Sequence, residues 1–404
     1  MRGTVMPETR RARRAVAAVF ALNGAVFASW LPRIPEVKAA LGLGDAELGA
    51  ALAGPALGAV IAMMAAGVLV VRLGSRPVTR VSLAAFCALP ALVGPAPSGP
   101  ALFAALAAWG AAMGCLDVAM NSAGMTVQRL YGRPIMSGLH AAFSGGALAG
   151  AAAGSVAAHL SVPVTVHLAG GGAIALVAGL AATRGLLPAD HDAQARGPAL
   201  ARPTGRLLLL SALAFAALLS EGAVADWSAV YLRDTLGTGA GTAGAGYAAF
   251  AVAMTVGRLA GDRLVTAVGP VRVVGVLGGV AAAALGAALA VGTAPAALAG
   301  LAALGLGLAC VVPVVFTAAA HVTDAPGPAI ATVSTCGYLG FIAGPPLIGA
   351  VAQLIGLGPA LGLVAALAGL MALSARAVHP AARTTTERNL SPSSLSREPA
   401  AGRD

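Results

Sequence analysis

Gly114-Cys115-Leu116-Asp117-Val118-Ala119-Met120-Asn121 sets a carboxylic acid and an amide one helical turn apart, near the middle of a long apolar segment. Asp117 is the only charged residue between 101 and 128, and at about 1.5 Å per residue such a helix is long enough to cross about 30 Å of hydrocarbon. An ionisable group at bilayer depth is a functional-site candidate by default, because a charge left in hydrocarbon costs several kcal/mol.

The rest of the chain has the composition of a lipid-embedded protein. Of 404 residues, 58% are apolar and 10% charged, with a mean hydropathy of +0.86, whereas soluble domains carry roughly 25% charged residues. The N-terminus reads Arg10-Arg11-Ala12-Arg13-Arg14 and then enters an apolar run too long for a signal-peptide core. No convincing A-x-A cleavage site accompanies it, so the first helix is expected to stay. The net charge of +10 does not read as nucleic-acid binding, because its short basic clusters sit between apolar runs where they set topology. Cys87, Cys115, Cys310 and Cys336 are scattered without C-x-x-C spacing, which gives no disulfide framework and no metal site. No cofactor is expected.

Apolar runs of about 20 residues fall at 14–32, 47–71, 78–96, 101–128, 137–158, 165–187, 207–231, 243–263, 272–292, 295–320, 328–355 and 358–378. The predicted fold is therefore an all-α membrane protein with twelve transmembrane helices. The polar stretch Arg184 to Arg206 divides six spans from six. This predicts a cytoplasmic segment 1–13, a first bundle 14–187, a cytoplasmic linker 188–206, a second bundle 207–378 and a disordered tail 379–404. Twenty-two of the 25 Lys and Arg residues fall on one side, and only Arg33, Lys38 and Arg233 on the other. By the positive-inside rule both termini are expected in the cytoplasm.

The halves echo one another. Span 2 ends in Gly67 to Arg76 and span 8 in Gly257-Arg258-Leu259-Ala260-Gly261-Asp262-Arg263, both glycine-punctuated helix ends that deliver Arg to a turn. Span 5 carries Gly146, Gly150 and Gly154, and span 11 carries Gly340, Gly344 and Gly349, so both can pack closely through glycine faces. A duplicated six-helix unit fits, with two pseudo-symmetric six-helix bundles.

These residues resemble the major facilitator superfamily and, within it, the fucose permease branch of proton-coupled sugar transporters. The nearest match is Gly114-Cys115-Leu116-Asp117-x-Ala119-x-Asn121, which looks like that branch's fourth helix with Asp in place of Glu; Trp227-Ser228, Gly257-Arg258-x2-Gly261 and Pro313 with Phe316 support it. The strings Gly132 to Gly146 and Glu221 to Arg233 look like a bacterial subgroup of the superfamily. The resemblance implies alternating access between two bundles, a small-molecule solute, proton coupling, monomeric function and a bacterial inner membrane. It departs from the sugar-permease pattern in helix 1, which offers Asn23 and Ser29 but no carboxylate, and at Ser144, where the branch has a sugar-contacting amide. By the family's pattern, coupling is implied at Asp117 only.

Depth arithmetic stands apart from the resemblance. Asp117 lies about 16 Å from the cytoplasmic end of its span and Glu221 about 21 Å from that of span 7, so both sit near the midplane. Asn121 shares a helix face with Asp117 and can orient its carboxyl or bond a hydroxylated ligand. After the tight turn at 129–134, Ser144 returns to the level of Asn121, and the three are expected to line one cavity. Asp117 reads as a proton acceptor and release group, or as a structural acid paired with a neighbouring helix. Glu221 is a second coupling candidate. It cannot form a dyad with Asp226, which lies five residues, about 140°, around the helix. Asp226 reads as a gate or ion-pair residue with Arg33 or Arg233. Trp227 can stack a ring or anchor at the interface, Asn23 can contact solute, and His140 can relay protons or tether a loop. Arg258 and Asp262, four apart, can pair as a latch or anchor topology. Tyr247, Gln128 and Tyr338 receive no role.

Other classes fit less well. A channel needs a continuous polar stripe, whereas the polar groups here are isolated at mid-depth. No enzyme constellation or metal spacing occurs. No Walker A motif is present and Lys38 is the only lysine, which excludes ATP drive within the polypeptide. The expected function is proton-coupled transport of a small polar organic solute, a sugar being one case, with proton-driven efflux of a drug or metabolite as the rival.

Overall fold

The computed structural model describes residues 7–132, 135–188, 204–322 and 326–379. Most of the expected linker, nearly all of the expected tail and the first residues of the N-terminal segment lie outside that set, as do the side chains of Ser137 and Asp262. The first half comprises α1 (Pro7–Trp30), α2 (Ile34–Leu41), α3 (Asp45–Leu52), α4 (Gly54–Leu73), α5 (Ser75–Ala88), α6 (Gly99–Tyr131), α7 (Met136–His159) and α8 (Val164–Ala182). The second comprises α9 (Gly205–Val230), α10 (Ala240–Val268), α11 (Pro270–Val291), α12 (Ala294–Leu308), α13 (Val311–Ala320), α14 (Pro326–Ile355) and α15 (Leu357–Leu373). The described residues form helices and connecting turns and contain no strand.

Hydrocarbon supplies no hydrogen-bond partner, so each apolar run closes its backbone bonds internally as a helix. Ten of these stretches are long and apolar enough to cross a membrane, and Leu357–Leu373 is a shorter apolar helix. The third expected span is the 14-residue α5 continued by the 3-10 turn Leu89–Leu92. Two expected spans are broken, and proline explains both. A proline clashes with the carbonyl four residues before it. Pro55 follows the break between α3 and α4, and Pro313 follows the break between α12 and α13. Where chemistry demands a clean start, capping supplies it: Ser98 Oγ accepts from the Ala101 N–H at the head of α6, and Thr204 Oγ1 from Leu207 at the head of α9.

The twofold repeat is visible in the packing. In the first half α1 packs on α7, α4 on α6 and α5 on α8; in the second, α9 packs on α14, α10 on α12 and α11 on α15. These are equivalent pairs, six spans apart. Close approach of backbones makes them possible. A side chain at Gly146 or Gly150 would run into the carbonyls of Ala21 and Ala25 on α1, and one at Gly340 into that of Phe215 on α9. Small residues are what drive helix association where lipid is as apolar as leucine.

The halves meet at the face opposite the one that carries both ends of the described chain. There α3 packs against α14, and the end of α7 against the start of α10. Gly49 lies against Pro345 and Gly349, Gly244 against Ser155, and Gly241 against His159. An ionic clasp covers the seam. Lys38 Nζ bridges Asp45 Oδ1 of its own half, at 2.7 Å, and Asp234 Oδ2 of the other, at 2.8 Å. Beside it the buried Arg33 bonds Glu36 Oε2 at 2.6 Å and the Val162 carbonyl at 2.5 Å.

Two outcomes follow from this packing. Gly150→Val is expected to abolish the monodisperse folded protein in size-exclusion chromatography. Gly145→Ala, where nothing lies near an added methyl, is expected to keep or raise the melting temperature, since a helix-interior glycine costs roughly 0.5–1 kcal/mol relative to alanine. Lys38→Met removes both clasp bonds, each worth about 1 kcal/mol at most. Spin labels at Ala40→Cys and Thr235→Cys, with the native cysteines replaced by serine, are then expected to show a second, longer distance population; an unchanged distribution would leave the clasp without effect.

Candidate functional site

Beneath the sealed face lies a cavity of about 280 Å³ lined from both halves. It is at the small end of the size range of ligand pockets, about 300–1,000 Å³, and suits a compact solute. The contributing helices are α1, α3, α4, α6 and α7 from the first half and α9, α10 and α14 from the second.

Asp117 reaches the wall from the middle of α6. Asn121, one turn on, donates from Nδ2 to the Asp117 carboxylate at 3.1 Å and to the Asp117 carbonyl at 2.8 Å. Its amide is thus committed to the acid and is not among the lining groups. Ser144 is likewise turned to its own helix, its hydroxyl donating to the His140 carbonyl at 3.2 Å. The cavity is lined on that helix by His140 and Phe143 instead. The expectation that Asp117, Asn121 and Ser144 share the cavity wall is therefore corrected. Each of the other two satisfies its donor on the preceding turn, as polar side chains in helices commonly do.

Asn23 on α1 lines the cavity at 1% exposure. Its amide nitrogen rests on the Met120 sulfur at 3.6 Å, and its Oδ1 has no partner in the described structure. A buried carbonyl oxygen without a donor is costly, and here it borders a space that a ligand can fill.

On α9, Glu221 and Asp226 both line the cavity, at different levels. Glu221 Oε2 meets Arg258 at 3.7 Å across to α10, with the guanidinium 42% and the carboxylate 26% exposed. Arg258 thus reaches toward the cavity; the expected pair with Asp262 on its own helix falls on a side chain outside the described residues. Asp226 lies about 7 Å further along α9, toward the sealed face. Neither of its expected partners bonds it: Arg33 is held by Glu36 and Val162, and Arg233 makes no described ion pair. Trp227 is not a lining residue. It is fully buried, with its ring close to Gly349 in the seam between the halves and its indole N–H without a partner.

Aromatic side chains dominate the wall, and sequence reasoning missed most of them. Phe27 and Phe86 flank Trp109, whose indole N–H is held by the Phe86 carbonyl at 3.0 Å. Phe20 meets the His140 imidazole edge-on at 5.3 Å between centroids. From the second half come Tyr247, Tyr338 and Phe341. The Tyr338 phenol lies within electrostatic range of both Asp117 and Glu221, and the Tyr247 phenol within range of Glu221, Arg258 and Asp226. The available signal was position: tyrosines in membrane helices concentrate at the interfaces, and these two lie well inside theirs. Gln128 has a local task, its Oε1 accepting from the Ile135 N–H at 2.8 Å at the start of α7. Among the described residues there is no group of His, Cys, Asp or Glu arranged to hold a metal ion.

Paired six-span halves around a mid-depth cavity define a membrane transporter. Residues 16–341 match the family model of the Major Facilitator Superfamily, and the chain belongs to that superfamily. It is 40% identical, over 89% of its length and 94% of the relative's, to an uncharacterized MFS-type transporter of Yersinia pestis. It is 34% identical to the membrane protein MosC of Rhizobium meliloti, over 89% and 88% of the two chains. In fold it is similar to the nucleoside transporter NupG, with a TM-score of 0.73, 14% identity and coverage of 92% and 99%. It also resembles an inward-facing bacterial homologue of the human lysosomal transporter Spinster, with a TM-score of 0.68, 14% identity and coverage of 93% and 98%. The protein is thus a multi-pass transporter of small-molecule solutes and not an enzyme.

The Glu221–Arg258 bridge is long and partly exposed, so it is expected to add little stability. A double-mutant cycle with Glu221→Gln and Arg258→Gln, read by thermal unfolding in detergent, is expected to return a coupling of about 0.2–1 kcal/mol; a much larger value would mean that the pair closes tighter than 3.7 Å.

Proposed function

We propose that the chain couples proton movement to transport of a small polar organic solute by alternating access, with Asp117 as the proton carrier. Asp117 carries the reading: it is a mid-membrane acid on the cavity wall, oriented by Asn121 and free of any described ion pair. A carboxyl in that setting is costly to leave charged and inexpensive to protonate. Its charge state therefore biases which side of the membrane the two halves close upon. The resemblance of Gly114–Asn121 to the fourth helix of the fucose permease branch supports the same assignment. Glu221, held loosely by Arg258, is a second site through which charge and solute can be linked.

The arginine bias supports placing the face with the chain ends in the cytoplasm of a bacterial inner membrane. In that orientation the clasp and the glycine seam close the outer face, and the described conformation faces inward. His140 and Arg258 lie on the inner side of the cavity, within electrostatic range of one another. Alternation consists of the two halves rocking about the central site, with release of the Lys38 bridge when the outer face opens.

The test uses proteoliposomes, a solute panel and an imposed pH gradient of either polarity. Asp117→Asn is expected to abolish gradient-driven accumulation while preserving solute counterflow, because exchange requires alternation but no net proton transfer. A gradient response equal to that of the parent would remove Asp117 from the coupling role.

A further inference from the structure

Three properties of the cavity bear on what it holds. The first is its sign: its lining includes Asp117, Glu221 and Asp226 but neither lysine nor arginine. The nearest guanidinium, Arg258, is engaged by Glu221 at the inner side. An anionic solute would meet three acids on the wall and no lysine or arginine to pair with it there.

The second is its surface. Eight of the chain's sixteen aromatic residues line it, Trp30, Trp109, Tyr247 and Tyr338 among them. Half of a scarce residue class is gathered around one small space. Ring faces carry negative electrostatic potential and attract desolvated cations.

The third is unused hydrogen-bonding capacity. Asn23 Oδ1 is a buried acceptor with no donor. Asp226 makes no described hydrogen bond or ion pair and sits at the sealed end, away from Arg258. Neither Asn23 Oδ1 nor Asp226 has a described donor, and an ammonium group is a donor with nothing else.

From these we infer that the solute carries a protonated amine on a compact ring, with Asp226 as its counter-ion, the aromatic walls around its ring and Asn23 Oδ1 accepting from it. This rests on the transport reading above but assigns the substrate class through Asp226, a residue that the coupling step does not use. The ring can be a sugar or an aromatic, since both stack on tryptophan and tyrosine; the shared element is the charged amine.

Binding to purified protein without a gradient separates this assignment from coupling. Quenching of the fluorescence of Trp30 and Trp109 would be titrated with glucosamine against glucose, and with tyramine against tyrosol, at a pH where both amines are protonated. At least one amine is expected to bind about tenfold more tightly than its hydroxyl isostere, and which pair responds identifies the ring. Asp226→Asn is expected to erase that preference to within about twofold and Asp226→Glu to retain part of it. Unfolding temperatures of the variants establish that each is folded. Equal binding within both pairs, binding of neither amine, or a preference that survives Asp226→Asn would overturn the assignment. None of these outcomes depends on whether Asp117 carries protons, which the gradient experiment reads separately.

Discussion

Hydrocarbon offers the backbone nothing to bond with, and this constraint shapes every level of the molecule. It forces each crossing segment into a helix, and it removes the hydrophobic drive that would hold helices together in water. Association must then come from contact itself. Gly146 and Gly150 let α7 lie on the backbone of α1, and Gly340 lets α14 lie on α9. The same device, used between halves at Gly49 and Gly244, closes one face of the cavity. Packing within each half builds the bundles, while packing between the halves gathers on one face and is clasped there by Lys38.

The same constraint explains why the polar groups are so few and so sharply placed. A carboxylate at mid-depth must find a proton, a cation or a donor. Asp117 has the Asn121 amide, Glu221 has Arg258, and Asp226 has none described. Three acids in three environments within one cavity give the site graded demands for positive charge. The aromatic wall then decides shape and stacking, with the cavity volume limiting size.

The fold was legible in the sequence because its signal is long-range and one-dimensional. Hydrophobic runs, arginine clusters and Pro or Gly at the turns mark twelve segments without reference to neighbours, and the glycine spacings of spans 5 and 11 announced which faces pack. The breaks at Ala53 and Cys310 were not anticipated, although Pro55 and Pro313 carried the information. The candidate site was legible in part. Asp117, Glu221, Asn23, Asp226 and His140 do converge on one cavity. Asn121, Ser144 and Trp227 are close in sequence to lining residues yet turned elsewhere, since a step of one residue rotates a side chain about 100° around a helix.

By itself, then, the sequence determined that this chain lives in lipid as two related sets of six helical crossings with acids at mid-depth, because composition and spacing alone decide what hydrocarbon will accept. The tertiary structure alone decided that Arg258 answers Glu221, that Lys38 ties the halves together, and that half of the aromatic residues surround one space. Those facts depend on which helix faces meet across distances of many residues, and no local pattern encodes a neighbour that the chain reaches only after folding.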